Sequence, residues 1–440
     1  MSTGQVVMDG QGLRTGPTAQ EAIDNWEKAN SASVPHYEQR WDVTDPALYA
    51  ENRWQDVFRE MRQEAPVNFI AGSPHGDYWN VVALKAVQYV EALPLIFSSD
   101  ARYGGFAIDD FDKKLNDGSG PSTLLAMDPP EHTPKRRTIA PAFTPAEMVR
   151  LSDQVRQRTG NILDSLPIGE QFDWVEAVSV RLTTDMLAVL FDFPWEHRQA
   201  LTFWSDWMSD NRINNSRELL DQRIEIMGEM AAYMYGLWQK RLNEPEKPDL
   251  LSRMIHSDAM GNMDPAEFMS NMAVLIVGGN DTTRNTMTGM VEAFDSFPGE
   301  WAKLEADPSL IPNAIQELIR YVTPVSNMRR TATEDHELEG QLIRQGDKVV
   351  MWYISANRDE SVFDEPDRLI VDRPNARRHV SFGYGVHRCI GARLAELQLR
   401  ILIEEMLARK MRVSVTGKVE RLRQNFINGF ASAEVTVERG

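Results

Sequence analysis

The chain has 440 residues, 42% of them hydrophobic and 25% charged, with a formal net charge of -18 and one cysteine. That composition suits a soluble globular protein with a large core and excludes a disordered or fibrous chain; a single cysteine excludes an internal disulfide, and the acidic balance opposes binding to nucleic acid or anionic membranes. No apolar run reaches the length of a membrane span, and the first twenty residues lack the basic and apolar parts of a signal peptide, so a cytoplasmic protein is expected.

Residues 1–18 are polar and glycine-containing and are expected to be a flexible tail; 19–440 are expected to be one domain, because no repeat or low-complexity linker divides them. VNFIAG and DYWNVVAL, joined by the turn-rich SPHGD, predict a hairpin, and KAVQYVEALPLIF predicts a helix ended by Pro94. The glycine- and aspartate-rich stretch 101–127 is long enough to be a functional lid. Amphipathic periodicity then predicts helices over 145–166, 172–190, 195–210 and 216–243, followed by a long apolar helix, AEFMSNMAVLIVGGNDTTRNTMTGMVEAFDSF. The last third mixes a helix (NAIQELIRYV), short strands (HELEG, KVVMWYI), irregular coil and a further helix, ARLAELQLRILIEEMLARK. The expected fold is a single large domain, mainly α with small β-sheets.

Three motifs carry chemistry. In SFGYGVHRCIG, Cys389 follows Gly383 and Gly385 and precedes Gly391 and a helix start. A lone cysteine is usually a small buried hydrophobe. Here the glycines let backbone approach something flat and bulky, while the helix start offers N–H groups and a dipole that favour a thiolate, an environment suited to an axial ligand of iron. The run GYGVHR is not a dinucleotide fingerprint, since Arg388 stands where the third glycine belongs and no βαβ unit frames it. GGNDTT, residues 278–283, places two glycines in an apolar helix at a cost of roughly 1 kcal/mol each against alanine. Either they form a packing notch beside a solvated acid, or they make room for a planar group with local deformation of the helix, Asp281 and Thr282 then lining a proton path. In ELIR, Glu317 and Arg320 share a helical face, which taken alone describes a weak surface pair.

The succession GGxDT, ExxR and FGxGxHxCxG, together with MDPPEHTPKRR and RRTATEDHELEG, resembles the cytochrome P-450 haem-thiolate monooxygenases over nearly the whole chain from about Gln20. The resemblance implies a helical prism around a buried haem b with Cys389 as the thiolate ligand, whose electron push favours O–O cleavage. It implies that Asp281 and Thr282 are the acid–alcohol pair feeding protons to dioxygen reduction. Glu317 and Arg320, joined by Arg368 of EPDR, become a structural ion cluster. His132, Arg136, Arg330 and His387 become partners of two buried haem propionates, which need cations or donors, and Gly278, Phe382 and Gly383 also lie at the cofactor. Tyr384 between the loop glycines and Leu369 in place of a frequent phenylalanine depart from the pattern without removing a needed group.

The implied reaction is monooxygenation of an unactivated C–H bond by O2. Its electrons would come from a ferredoxin and a separate NAD(P)H-dependent ferredoxin reductase, since no flavin domain is present. Arg388, Arg393, KRR (135–137) and ARRH (376–379) are expected to form a positive docking patch on an acidic protein. VLIVGGNDTTRN and the block around Cys389 are similar to bacterial terminal (omega) hydroxylases of medium-chain alkanes and fatty acids. Leu124, Leu125, Met127, Val274, Val277, Val325 and Phe430 are expected to face the substrate. Three alternatives stand beside this: hydroxylation of a terpenoid or sterol; a non-catalytic haem sensor, which would leave Asp281 and Thr282 without purpose; and a haem-free helical interaction protein.

Overall fold

The computed structural model describes residues 7–9, 12–14, 16–109 and 123–440. Its centre is the helix Pro265–Ser296, apolar on most sides and therefore buried. Asp264 caps it, accepting the N–H groups of Ala266 and Glu267 at 2.9 Å each, and Pro265 needs no partner at the first position. Around it pack the helices Arg181–Phe191, Gln199–Ser209, Arg217–Arg241 and Ile311–Val322, with Met272, Ile276, Met287 and Met290 fully enclosed. The deformation expected at GGNDTT is not found: the α-helix runs through it unbroken. Three polar side chains here bond to that helix's own backbone, Thr282 and Thr286 donating to the carbonyls of Gly278 and Thr282 at 2.9 and 2.8 Å and Asn285 to that of Asp281 at 2.8 Å.

The VNFIAG–DYWNVVAL hairpin forms, as Val67–Ile70 antiparallel to Tyr78–Val81. It opens a five-stranded sheet continued by Lys348–Trp352, Asn327–Ala332 and Phe97–Ser98. Lys348–Trp352 is buried along its whole length, which is why KVVMW shows no alternation. A second sheet was not anticipated: Met411–Arg421 pairs antiparallel with Phe430–Arg439, which takes Gln171–Asp173 as a third strand. That pairing removes the start of the helix expected over 172–190; a π-helical turn, Val175–Val180, follows before the α-helix Arg181–Phe191. Within the expected N-terminal tail, Val7–Asp9 pairs with Gly12–Arg14, and the rest of 1–15 lies outside the described residues. So does 110–122, the middle of the expected lid; its base is closed by Ala101 N–H donating to the Ala126 carbonyl at 3.0 Å. Among the described residues no helix is long and apolar enough to cross a membrane.

The ELIR pair is not on the surface. Glu317 and Arg320 are both 0% exposed. Arg320 donates to the Glu317 carboxylate at 2.7 and 2.8 Å and to the carbonyls of Asn357 and Pro366 at 2.8 Å each. The third member is Arg373, whose Nε lies 3.0 Å from both Glu317 oxygens. Arg368 is thereby corrected: its exposed side chain pairs with Glu365 at 3.0 Å, and only its carbonyl joins the cluster, accepting from Arg320 and Arg373 at 3.1 Å. The cluster pins the coil that leads to Cys389. Asn357 continues the pinning, accepting Val380 N–H at 2.8 Å and donating to Ser381 Oγ at 2.7 Å.

Candidate functional site

The cysteine loop is built on two left-handed glycines, Gly383 at φ 67° and Gly385 at φ 66°. A Cβ on Gly385 would lie 2.3 Å from the Glu91 carbonyl oxygen, so only glycine fits there. Gly383 N–H donates to Val380 at 2.8 Å and Cys389 N–H to Phe382 at 2.7 Å, delivering the sulfur just ahead of the helix Ala392–Ala408. Burial pushes the Cys389 thiol up. The N–H groups of Gly391 and Ala392, with Arg136 and Arg388, pull the other way without overcoming it. The helix start therefore helps the thiolate as expected, yet the net shift is upward.

Cys389 opens into a cavity of about 230 Å³, well beyond the water-sized voids of a packed core. The central helix contributes one wall through Val274, Leu275, Gly278, Gly279, Thr282 and Thr286; Leu124, Leu125, Val325, Phe382 and Gly383 line it as expected, joined by Phe106, Leu187 and Met328. Each glycine of the pair answers to one reading. A Cβ on Gly278 would meet nothing within 4 Å, leaving room in the cavity, whereas one on Gly279 would strike Leu187 Cδ2 at 2.6 Å, a packing notch.

Three expected wall residues are elsewhere. Val277 does not line the cavity, being turned about 100° around the helix from Gly278. Met127 is buried beyond the turn that Ala126 N–H closes on the Thr123 carbonyl at 2.9 Å. Phe430 packs on Gly289 and under Arg421, 4.7 Å from ring centroid to guanidinium, because the unanticipated C-terminal hairpin carries it there.

The cavity's cations gather near the cysteine loop. Arg136 reaches the Arg388 carbonyl, and Arg330 donates to the Arg329 carbonyl at 2.7 Å. His387 lines the cavity too, its Nε2 2.9 Å from Ser99 Oγ; burial pushes its pKa down, against the pull of Asp128. His132 does not line the cavity but packs behind His387, ring centroids 4.6 Å apart and planes tilted by 58°, with its pKa lowered to about 4 by burial and then by His387 and Arg136. His132 Nε2 and His387 Nδ1 are buried without a hydrogen-bond partner among the described residues. Two guanidiniums and an orphaned imidazole nitrogen at one end of an otherwise apolar cavity, beside a lone thiol, fit a flat apolar metallated ring bearing carboxylates.

Behind the Thr282 wall lies a chain of charge. Asp281, 0% exposed, has Oδ1 2.8 Å from Arg284 Nη2, and that same nitrogen is 2.8 Å from Asp206 Oδ1. The Asp281 contact is ionic, without hydrogen-bond alignment. The Asp206 side chain is 32% exposed, so the chain runs from the interior toward solvent. Burial raises the Asp206 pKa to about 6, with repulsion from Asp281 adding to it and Arg284 opposing. Neither Arg284 nor Asp206 was expected, although Asp281 and Arg284 at i, i+3 were a legible pair. On the outside of the cysteine loop, Arg377, Arg378 and Arg388 are exposed around a depression also lined by Gln88, Gln316 and Tyr384. Arg393 is exposed as well, but Lys135 pairs with Glu267 and leaves the patch.

A sequence profile of the family described as Cytochrome P450 matches residues 306–434. Linalool 8-monooxygenase of Pseudomonas putida is 33% identical over 404 residues, 91% of this chain and 99% of its own. Steroid C26-monooxygenase of Mycobacterium tuberculosis is 32% identical over 431 residues, 94% of this chain and 96% of its own. Among solved structures, Cytochrome P450-153 from Novosphingobium aromaticivorans superposes with a TM-score of 0.87 at 57% identity, covering 91% of this chain and 100% of that one. CYP153D17 from Sphingomonas sp. PAMC 26605 gives 0.87 at 54% with the same coverage.

Proposed function

The chain belongs to the cytochrome P450 family and is a haem b monooxygenase; we propose that it hydroxylates the terminal carbon of medium-chain alkanes or fatty acids, with electrons from a ferredoxin. Cys389 is the thiolate ligand, being the chain's one cysteine and open to the cavity. Arg136, Arg330 and His387 take the propionates, with His132 supporting His387 from behind. Bound there, haem supplies the iron at which dioxygen is reduced, one oxygen atom entering a C–H bond and the other leaving as water.

The chain's own groups supply protons and exclude water. The Thr282 hydroxyl, resting on the Gly278 carbonyl at 2.9 Å, turns into the cavity to hand on a proton. Asp281 replenishes it once Arg284 shifts its weight to Asp206, which frees the Asp281 carboxyl to take a proton from water and pass it on. Arg377, Arg378 and Arg388 give an acidic ferredoxin an orienting surface on the cysteine side.

The observation that carries the reading is that Cys389 and Thr282 open on the same cavity, whose walls away from the cysteine loop are mostly apolar. Both of its arginines sit near the cysteine loop, which leaves the wall around Leu125, Val274 and Val325 to hydrocarbon. A methyl C–H is harder to break than the adjacent methylene, so terminal selectivity requires that this wall present only the chain end. The test is product identification by mass spectrometry with ferredoxin, reductase, NADH and homologous alkanes and fatty acids. Terminal alcohols are expected; exclusively subterminal products, or none, overturn the proposal. Hydroxylation of a terpenoid or sterol is a second reading, favoured by the relatives named for linalool and steroid oxidation, and linalool and a sterol belong in the same assay.

A further inference from the structure

Glu91 is a buried carboxylate that the proton route does not use. It sits on the helix Leu84–Ala92, 4% exposed, at the cavity margin. Its Oε1 accepts the Tyr353 hydroxyl at 2.7 Å and lies 3.4 Å from Arg330 Nη2; its Oε2 accepts Tyr384 N–H at 2.7 Å. The contact with the cysteine loop is close along its length. A Cβ on Gly383 would stand 3.3 Å from Glu91 Oε1, and one on Gly385 2.3 Å from its backbone oxygen. One carboxylate thus joins an arginine at the cationic end of the cavity to the backbone of the loop that carries the sulfur.

We infer that Glu91 is a positioning residue that ties Arg330 to the Cys389 loop and places a fixed negative charge beside the haem. The inference rests on the assignment of Cys389 as iron ligand and Arg330 as propionate partner. Burying a carboxylate is costly unless it is paired and hydrogen-bonded; burial pushes the Glu91 pKa up, and a guanidinium, a phenol and an amide pull it back toward the charged form. Arg330 spends one nitrogen on the Arg329 carbonyl at 2.7 Å and offers another to Glu91, leaving further N–H groups for a propionate. A negative charge near the iron favours the ferric over the ferrous state, so Glu91 holds the reduction potential down while its bond to Tyr384 N–H keeps the loop in place.

Two variants of the haem-loaded protein test this without measuring turnover. Glu91→Gln keeps shape and one acceptor but removes the charge. The ferric-to-ferrous ratio at a fixed potential is expected to fall at least about threefold, an upward shift of about 28 mV at 59 mV per tenfold for one electron. Glu91→Ala also removes the loop bond, and its thiolate-type reduced-CO band is expected to disappear at lower guanidinium concentration than in the wild type. An unchanged or lowered potential in Glu91→Gln overturns the inference, as does a Glu91→Ala band as persistent as the wild type's; if the alanine variant does not fold, the glutamine variant decides alone. Failure of the ligand assignment reads differently, because the wild type itself would then lack the thiolate band.

Discussion

Replacing Arg373 with alanine removes one of two guanidiniums that neutralise Glu317 in a site with no solvent access. It also deletes donors to the carbonyls of Asp364, Glu365 and Arg368. Breaking a buried ion pair by removing one partner costs about 3–5 kcal/mol, because the remaining charge stays buried. Unfolding entropy of about 2.1 cal/mol/K per residue gives a 440-residue chain about 0.9 kcal/mol/K, so the loss reads as a fall in melting temperature of about 3–5 °C. Arg368→Ala, by contrast, removes an exposed pair with Glu365 and keeps the carbonyl that the cluster uses; exposed pairs contribute about 1 kcal/mol or less, hence about 1 °C or less. Thermal melts of both haem-loaded variants, followed by far-UV circular dichroism and the Soret band, make the comparison. Equal destabilisation by the two variants, or a larger effect at Arg368, would refute the assignment of the third cluster member.

Gly385→Ala is expected to displace the cysteine loop, since both its φ of 66° and a 2.3 Å approach to the Glu91 carbonyl oppose a Cβ; a reduced-CO spectrum with an undiminished thiolate band would contradict this. The Asp206 pKa is about 6 in the fold against 3.8 for the ordinary group, so the folded state binds the extra proton and its stability declines as pH rises between about 4 and 6. Asp206→Asn lacks this decline, and its melting temperature should gain on the wild type from pH 4 to pH 7; a constant difference, or the opposite trend, counts against burial of the Asp206 carboxyl beside Asp281. Thr282→Ala should consume NADH while product falls and peroxide accumulates, and product formation still matching NADH consumption would reject its proton-handling role.

The sequence's legibility followed the range of the signals. The central helix announced itself through a long apolar run, and Glu317–Arg320 through a spacing of three. Arg373 did not, because it meets Glu317 across 56 residues of chain and nothing in VDRP marks it, while Arg368 of EPDR offered a nearer substitute. The C-terminal hairpin left a trace in the alternation of Val413 with Val415 and of Val435 with Val437, and overlooking it misplaced both Phe430 and the start of the preceding helix near 172. Glu91 was marked as well: it follows Leu84 and Val87 on one apolar helical face, where an acid requires a partner. Arg330 and Tyr353, its partners, lie 239 and 262 residues away and could not be read from the helix.

The central claim is that the sulfur of Cys389 holds the haem iron. Its most direct measurement is the reduced, CO-bound absorption spectrum of the wild type beside Cys389→Ser, each at matched haem content. The wild type should show the red-shifted Soret band of thiolate ligation and the serine variant should lack it. The same band in both proteins would contradict the claim.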